Sequence, residues 1–148
     1  MKNRKNILIV VITILLILII TVIASISFKE PTLGKVLATN SEDFKSFEFV
    51  KHGEDLSEWQ STDKSQFDEL INFLENYEVE KMDNTEWNSD VSKEEGFVVS
   101  IHSQESSLVA SIYKERLVIY EDGGYYYYIK NGPIDMQWIQ EFDNQSLQ

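Results

Sequence analysis

The sequence predicts an α+β protein with an N-terminal transmembrane helix. In the domain that follows, an amphipathic helix packs on an antiparallel β-meander of about four strands, and a short C-terminal helix ends the fold. Three observations predict this architecture. Residues 7–28 contain no charged side chain, and residues 67–74 carry apolar side chains at helical spacing. Residues 97–130 alternate short β-type runs with short polar separators.

The uncharged N-terminal run has the length of a bilayer span. About 20 apolar residues cross a hydrocarbon core of roughly 30 Å, and a helix satisfies its backbone groups within the segment. A cleaved signal peptide is the alternative, since small residues at 24–27 suit cleavage. The apolar core at 7–23 is longer than a signal region of roughly 7–15 residues, which favours a permanent anchor.

Basic residues predict the orientation of this anchor. Lys2, Arg4 and Lys5 precede it, and basic residues favour the cytoplasmic side. The prediction is a single-pass protein of the cell membrane with its domain outside, or a secreted protein if the segment is cleaved. The predicted segments are a cytoplasmic tail 1–6, a transmembrane helix 7–28, a tether 29–43, an extracytoplasmic domain 44–143 and a tail 144–148.

Charge and composition exclude several function classes. Three of the 13 basic residues lie before residue 7, so ten basic residues face 25 acidic ones in the rest of the chain. Such an acidic domain is repelled by nucleic acid, which binds proteins through positive charge. The absence of cysteine excludes lipidation at cysteine, disulfides and thiolate metal sites.

The predicted domain begins with an aromatic-rich strand at 44–51, and a short strand returns at 55–60. A helix follows over 63–77, because Asp63 and Gln66 have capping-box spacing and the apolar stripe begins at Phe67. Residues 79–83 form a short strand. The meander strands are 97–102, 108–113, 117–121 and 125–130, and the last helix starts near Pro133, with apolar residues at 134, 138 and 142.

Short turns assign the meander side chains to two faces, since a slip of one residue exchanges the faces. The predicted core face holds Phe97, Val99, Ile101, Leu108, Ala110, Ile112, Leu117, Ile119, Tyr126 and Tyr128. The opposite face is mixed and holds Tyr125 and Tyr127. A three-residue turn at 122–124 would exchange the two tyrosine pairs.

The mixed face is the candidate binding surface, because tyrosine offers rigid area and a hydroxyl for peptides or sugars. Two alternatives stay open. Tyrosine favours strands in any case, and another element could cover this face. The candidate residues are Tyr113, Arg116, Tyr120, Tyr125, Tyr127 and His102.

The acidic loop 83–95 is a second candidate. Its carboxylates could gather round a hard cation such as calcium, but their spacing does not match an EF-hand loop, so a solvated loop is the expectation. Trp87 in this loop is interpreted as a lid over the core edge, with a ligand anchor as the alternative.

The sequence contains few residues in patterns that are typical of catalysis. The two histidines, His52 and His102, belong to no recognised catalytic motif, and no nucleophile elbow, phosphate loop or zinc motif occurs. The sequence therefore predicts no catalytic, cofactor-binding or metal-ligating residue and no enzyme. Two carboxylates converging as in a glycosidase are the remaining route to a hydrolase.

Residues 61–64 (Ser-Thr-Asp-Lys), the stripe 67–74 and residues 124–128 (Gly-Tyr-Tyr-Tyr-Tyr) carry a resemblance. In plan the chain resembles small membrane-anchored or lipoprotein-like envelope proteins of Gram-positive bacteria, although it lacks the lipobox cysteine that many of them carry. The resemblance implies surface anchoring and no specific activity.

The predicted function is a non-catalytic, membrane-tethered recognition or regulatory module that binds a protein or cell-wall partner through the mixed face. One alternative is an immunity or inhibitor protein against a secreted toxin or enzyme, since an acidic domain suits a basic target. The other is an envelope hydrolase.

Overall fold

The computed structural model describes residues 11–21, 30–38, 43–52, 56–83, 85–88, 90–91, 93–120 and 123–147. The chain divides into two units, Met1–Glu30 and Pro31–Gln148. The described part of the first unit is helical over residues 11–21, and its large apolar side chains are exposed.

The prediction of a transmembrane helix over 7–28 is corrected by the structure. Among the described residues, no helix is long and apolar enough to cross a membrane. The predictions of a single-pass topology and an outward-facing domain depended on this helix and are not supported. Residues 1–6 and the ends of the predicted span lie outside the described residues.

The described residues of the second unit form one antiparallel sheet of seven strands, not a four-stranded meander. The fold is therefore mostly β, which corrects the predicted α+β class. The strands lie side by side in the order β2-β1-β4-β5-β6-β7-β3. Their bounds are β1 Phe44–His52, β2 Ser57–Ser61, β3 Val79–Lys81, β4 Gly96–Ser103, β5 Ser107–Tyr113, β6 Arg116–Tyr120 and β7 Tyr125–Ile129.

Three helices of this unit pack against one face of the sheet: α1 Leu33–Leu37, α2 Lys64–Leu74 and α3 Met136–Ser146. Helix α1 lies in the segment that was predicted as a tether. It is held by two buried leucines, Leu33 and Leu37. Gly34 lets α1 approach α2 closely, because a Cβ there would lie 2.5 Å from the carbonyl oxygen of Ile71.

Strand alternation explains why the helices share a face. Register pairs connect Phe47 to Ile101, Ile101 to Leu108, and Phe97 to Ile112, so these side chains point to the same side. The apolar residues predicted for the core face of 97–119 are all buried there. The stripe of α2 and the apolar side of α3 complete this core.

A buried carboxylate fastens α3 to the edge strand β2. Asp143 is only 2% exposed. It accepts a hydrogen bond from the Ser57 hydroxyl at 2.7 Å and another from the Trp59 indole nitrogen at 2.8 Å. The Trp59 ring also stacks on Phe49, 5.1 Å between centroids. Both donors come from β2, so one side chain links the last helix to the outermost strand.

We expect Asp143→Ala to lower the free energy of unfolding by about 1–3 kcal/mol, because two donors lose their acceptor in a buried setting. Urea denaturation followed by tryptophan fluorescence measures the loss. Gln145→Ala, an exposed change two residues along the same helix, is the matched control. Equal stability of the two variants would contradict the role assigned to Asp143.

Candidate functional site

The face of the sheet opposite the helices, called here the helix-free face, contains the candidate site. The register arranges its side chains in rows that run across the strands. One row is Glu58, Val50, Val98, Ser111, Val118 and Tyr126. The next is Gln60, Glu48, Ser100, Val109 and Tyr120.

Three of the predicted site residues, Tyr113, Arg116 and Tyr120, lie on this face in adjacent strands. The predicted register of the tyrosine run 125–128 was wrong. Tyr125 pairs with Ile119 and Tyr127 pairs with Leu117, so both tyrosines are on the helix-covered face and pack against the core.

Turn length explains the exchange of the tyrosine pairs. The Ile119–Tyr125 pairing leaves an odd number of residues in the turn, so the register moves by one residue relative to an even turn. Gly123 and Gly124 both have positive φ, 111° and 86°, which glycine adopts without steric cost. Tyr126 and Tyr128 consequently point to the helix-free face.

The described residues between β3 and β4 (82–83, 85–88, 90–91 and 93–95), called here the strap, lie across the helix-free face. Strand β3 is at the sheet edge and β4 lies in the middle, so the connection must pass β7, β6 and β5. Trp87 of the strap packs on Tyr126, with 4.9 Å between ring centroids, and on Tyr113 at 6.3 Å. Trp87 is therefore a lid, but over the helix-free face and not over the core edge.

Arg116 fixes the strap by two interactions. Its guanidinium lies over the Trp87 ring, 4.4 Å from the centroid. The same group donates a pair of hydrogen bonds to the Glu94 carboxylate, with Nε 3.1 Å from Oε2. Planar, charge-assisted pairs of this kind are among the stronger side-chain contacts. Arg116 thus holds an aromatic ring and a carboxylate of the strap at once.

Burial under the strap changes the chemistry of Tyr113. Tyr113 is 7% exposed and Val118 2%. Burial raises the pKa of the Tyr113 hydroxyl above its ordinary value, and the nearby charge of Glu94 acts in the same direction. Gly96 makes room for the ring, since a Cβ there would lie 2.8 Å from Tyr113 Cδ1. Tyr113 is a neutral packing residue at physiological pH.

Two carboxylates of the strap are engaged in ion pairs. Glu94 pairs with Arg116, and Glu95 pairs with Lys114. Among the described residues, no group of three or more metal-ligating side chains comes together. A pocket of about 470 Å³ adjoins these pairs. Its lining alternates in charge and consists of Lys93, Glu94, Glu95, Lys114, Glu115 and Arg116.

His102 lies at another margin of the helix-free face, away from Arg116. Its Nδ1 is 2.9 Å from the Ser107 hydroxyl, and its Nε2 is 3.4 Å from Glu48. Serine, imidazole and carboxylate in this order resemble a hydrolase triad. Here they are cross-strand neighbours on an open sheet surface, and the Ser107 side is exposed.

The strap leaves part of the face uncovered, from β1 through β4 and β5 to the exposed end of β6. Val50, Val98 and Val109 are partly exposed there, and Tyr120 is 56% exposed. We call these four residues the apolar strip. The sequence did not predict the contribution of Val50, since the predicted strand 44–51 was not placed in the meander sheet.

No family model, curated protein or solved structure matches the chain. No catalytic family is therefore found, and the resemblance to envelope proteins stays a prediction. The function has to be inferred from the geometry of the helix-free face.

We expect Trp87 and Arg116 to be energetically coupled. A cation over an indole ring contributes roughly 0.5–2 kcal/mol, depending on desolvation. A double-mutant cycle with Trp87→Ala and Arg116→Ala, measured by urea denaturation, should give a coupling energy in that range.

Lys114→Ala is the control for this cycle, since Lys114 is also paired with a strap glutamate but is half exposed. It should change stability little and show no coupling to Trp87. A coupling as large for Lys114 as for Arg116 would contradict the specific role of the guanidinium.

Proposed function

We propose that the unit Pro31–Gln148 is a non-catalytic recognition module that binds a protein partner through its helix-free face. One observation carries the proposal. The three helices cover one face of the sheet, while the apolar strip on the other is bordered by polar side chains. An apolar centre with a polar rim is the common composition of a binding surface.

Recognition is favoured over catalysis because charged side chains of the face and the strap are engaged in structural contacts. Arg116, Glu94 and Glu95 are engaged in ion pairs that hold the strap. The Ser107–His102–Glu48 trio lies on three adjacent strands with Ser107 exposed to solvent, whereas substrate sites are enclosed clefts. The helix-free face offers a binding partner a defined shape, an apolar area and negatively charged side chains.

A second candidate function, inhibition of a secreted toxin or enzyme, belongs to the same binding class. The excess of acidic over basic residues supports it, because an acidic inhibitor associates rapidly with a basic target. Such an inhibitor would use the same helix-free face.

Site-specific photo-crosslinking of the full-length chain in its native cells tests the proposal. A benzophenone side chain at Val109 should give a discrete adduct, because Val109 lies in the apolar strip. The matched control is the same probe at Asn72, which is exposed on the helix side. Tyr120→Ser should abolish the Val109 adduct, since it removes the neighbouring aromatic contact. The absence of an adduct at Val109, or equal adducts at both positions, would contradict the proposal.

A further inference from the structure

We infer that the occupant of the apolar strip is a cationic, amphipathic helical segment of a partner protein. The inference rests on the proposed function and names the partner's chemistry. Three observations support the inference. They are the shape of the strip, the charges at its border and the position of the strap beside it.

The shape of the strip suits a short helix. Val50 pairs with Val98, and Val109 pairs with Tyr120 in the next row. The four residues therefore form a diagonal line across β1, β4, β5 and β6. Strands lie about 4.8 Å apart, so the line is roughly 15 Å long, which about ten residues of α-helix would span. Apolar side chains at positions i, i+4 and i+7 of a partner helix form one apolar stripe over such a length.

The charge at one end of the strip is negative. Glu58 follows Val50 in its row, and Glu48 is in the neighbouring row. Glu58 has no ion pair with any residue that the structure describes, and the one partner described for Glu48 is the His102 imidazole at 3.4 Å. Both carboxylates can therefore pair with cationic side chains of a partner.

The positive charge that the strands place on this face is already neutralised. Among the described residues that the register assigns to the helix-free face, Arg116 is the one lysine or arginine, and it pairs with Glu94. An acidic segment would meet the carboxylates of Glu48 and Glu58 and be repelled, whereas a lysine-bearing segment gains complementary contacts. The strap covers the other side of the face, so the occupant must lie between Trp87 and the β2 edge.

The test uses two synthetic peptides of about 18 residues, long enough to form a helix. One carries leucine and lysine at amphipathic spacing, and the other carries leucine and glutamate. Binding to the full-length chain is measured by fluorescence anisotropy at 0.15 M salt. The leucine–lysine peptide should bind, and the leucine–glutamate peptide should not.

Two charge-matched double variants separate a specific site from general attraction. Glu48→Gln with Glu58→Gln removes both carboxylates beside the strip and should weaken binding about fivefold, the loss of two exposed ion pairs. Glu69→Gln with Glu141→Gln removes the same charge from exposed positions on α2 and α3 and should leave binding nearly unchanged. Val98→Ser should also weaken binding, because it removes apolar area from the strip. Equal weakening by the two double variants, or insensitivity to Val98→Ser, overturns the inference.

The outcomes distinguish the inference from the proposed function. Suppose that the adduct at Val109 still forms and that the double variant Glu48→Gln with Glu58→Gln does not weaken binding of the native partner. The inference of a cationic occupant is then wrong, whereas the proposed recognition face is retained. If no adduct forms at Val109, the proposed function itself is wrong.

Discussion

The cross-strand register is the constraint on which the rest of this domain depends. It aligns Phe47, Phe97 and Leu117 on one side of the sheet, where α1, α2 and α3 bury them. A slip of one residue in any strand would exchange its buried and exposed side chains. Truncating one buried phenylalanine to alanine typically costs about 3–5 kcal/mol, so such a slip would cost more than a small domain can lose. The one-sided burial of the sheet therefore fixes which residues remain available on the other side.

The order of the strands has a second consequence. A connection from the edge strand β3 to the central strand β4 cannot avoid the sheet surface, and the helices already occupy one face. The strap therefore crosses the helix-free face, where Trp87 and Glu94 are held by Arg116. This crossing divides the face into a covered part around Tyr113 and an uncovered part around Val98. The proposed binding surface is the part of the helix-free face that the strap does not cover.

Local patterns in the sequence predicted much of the sheet but not its extent. The even turn after His102 and the spacing of Ile112 and Leu117 gave the correct core face for β4, β5 and β6. The tyrosine run was assigned to the wrong faces because its register depends on one residue of turn length, which residue preference does not determine. The transmembrane prediction rested on the length of an uncharged apolar run, and no helix among the described residues is long and apolar enough to cross a membrane.

Long-range pairings account for the remaining differences. The joining of β1, β2 and β3 to the meander depends on contacts between residues far apart in sequence, as in the pairing of Val79 with Ile129. The same holds for the strap, because the Arg116–Glu94 pair cannot be recognised from spacing. Arg116 was a candidate on the basis of its strand position, but its role as the fastening of the strap required the structure. Only the topology brings Val50 beside Val98.

The central claim is that one face of the sheet is buried by helices and part of the other is open to solvent. Methyl relaxation of the full-length chain in the presence of a soluble gadolinium chelate tests it most directly. The account predicts strong enhancement for the methyl groups of Val50, Val98 and Val109, and little for Val79 and Val99, which are fully buried. Equal enhancement of the two sets, or protection of the first set in the isolated protein, would contradict the account.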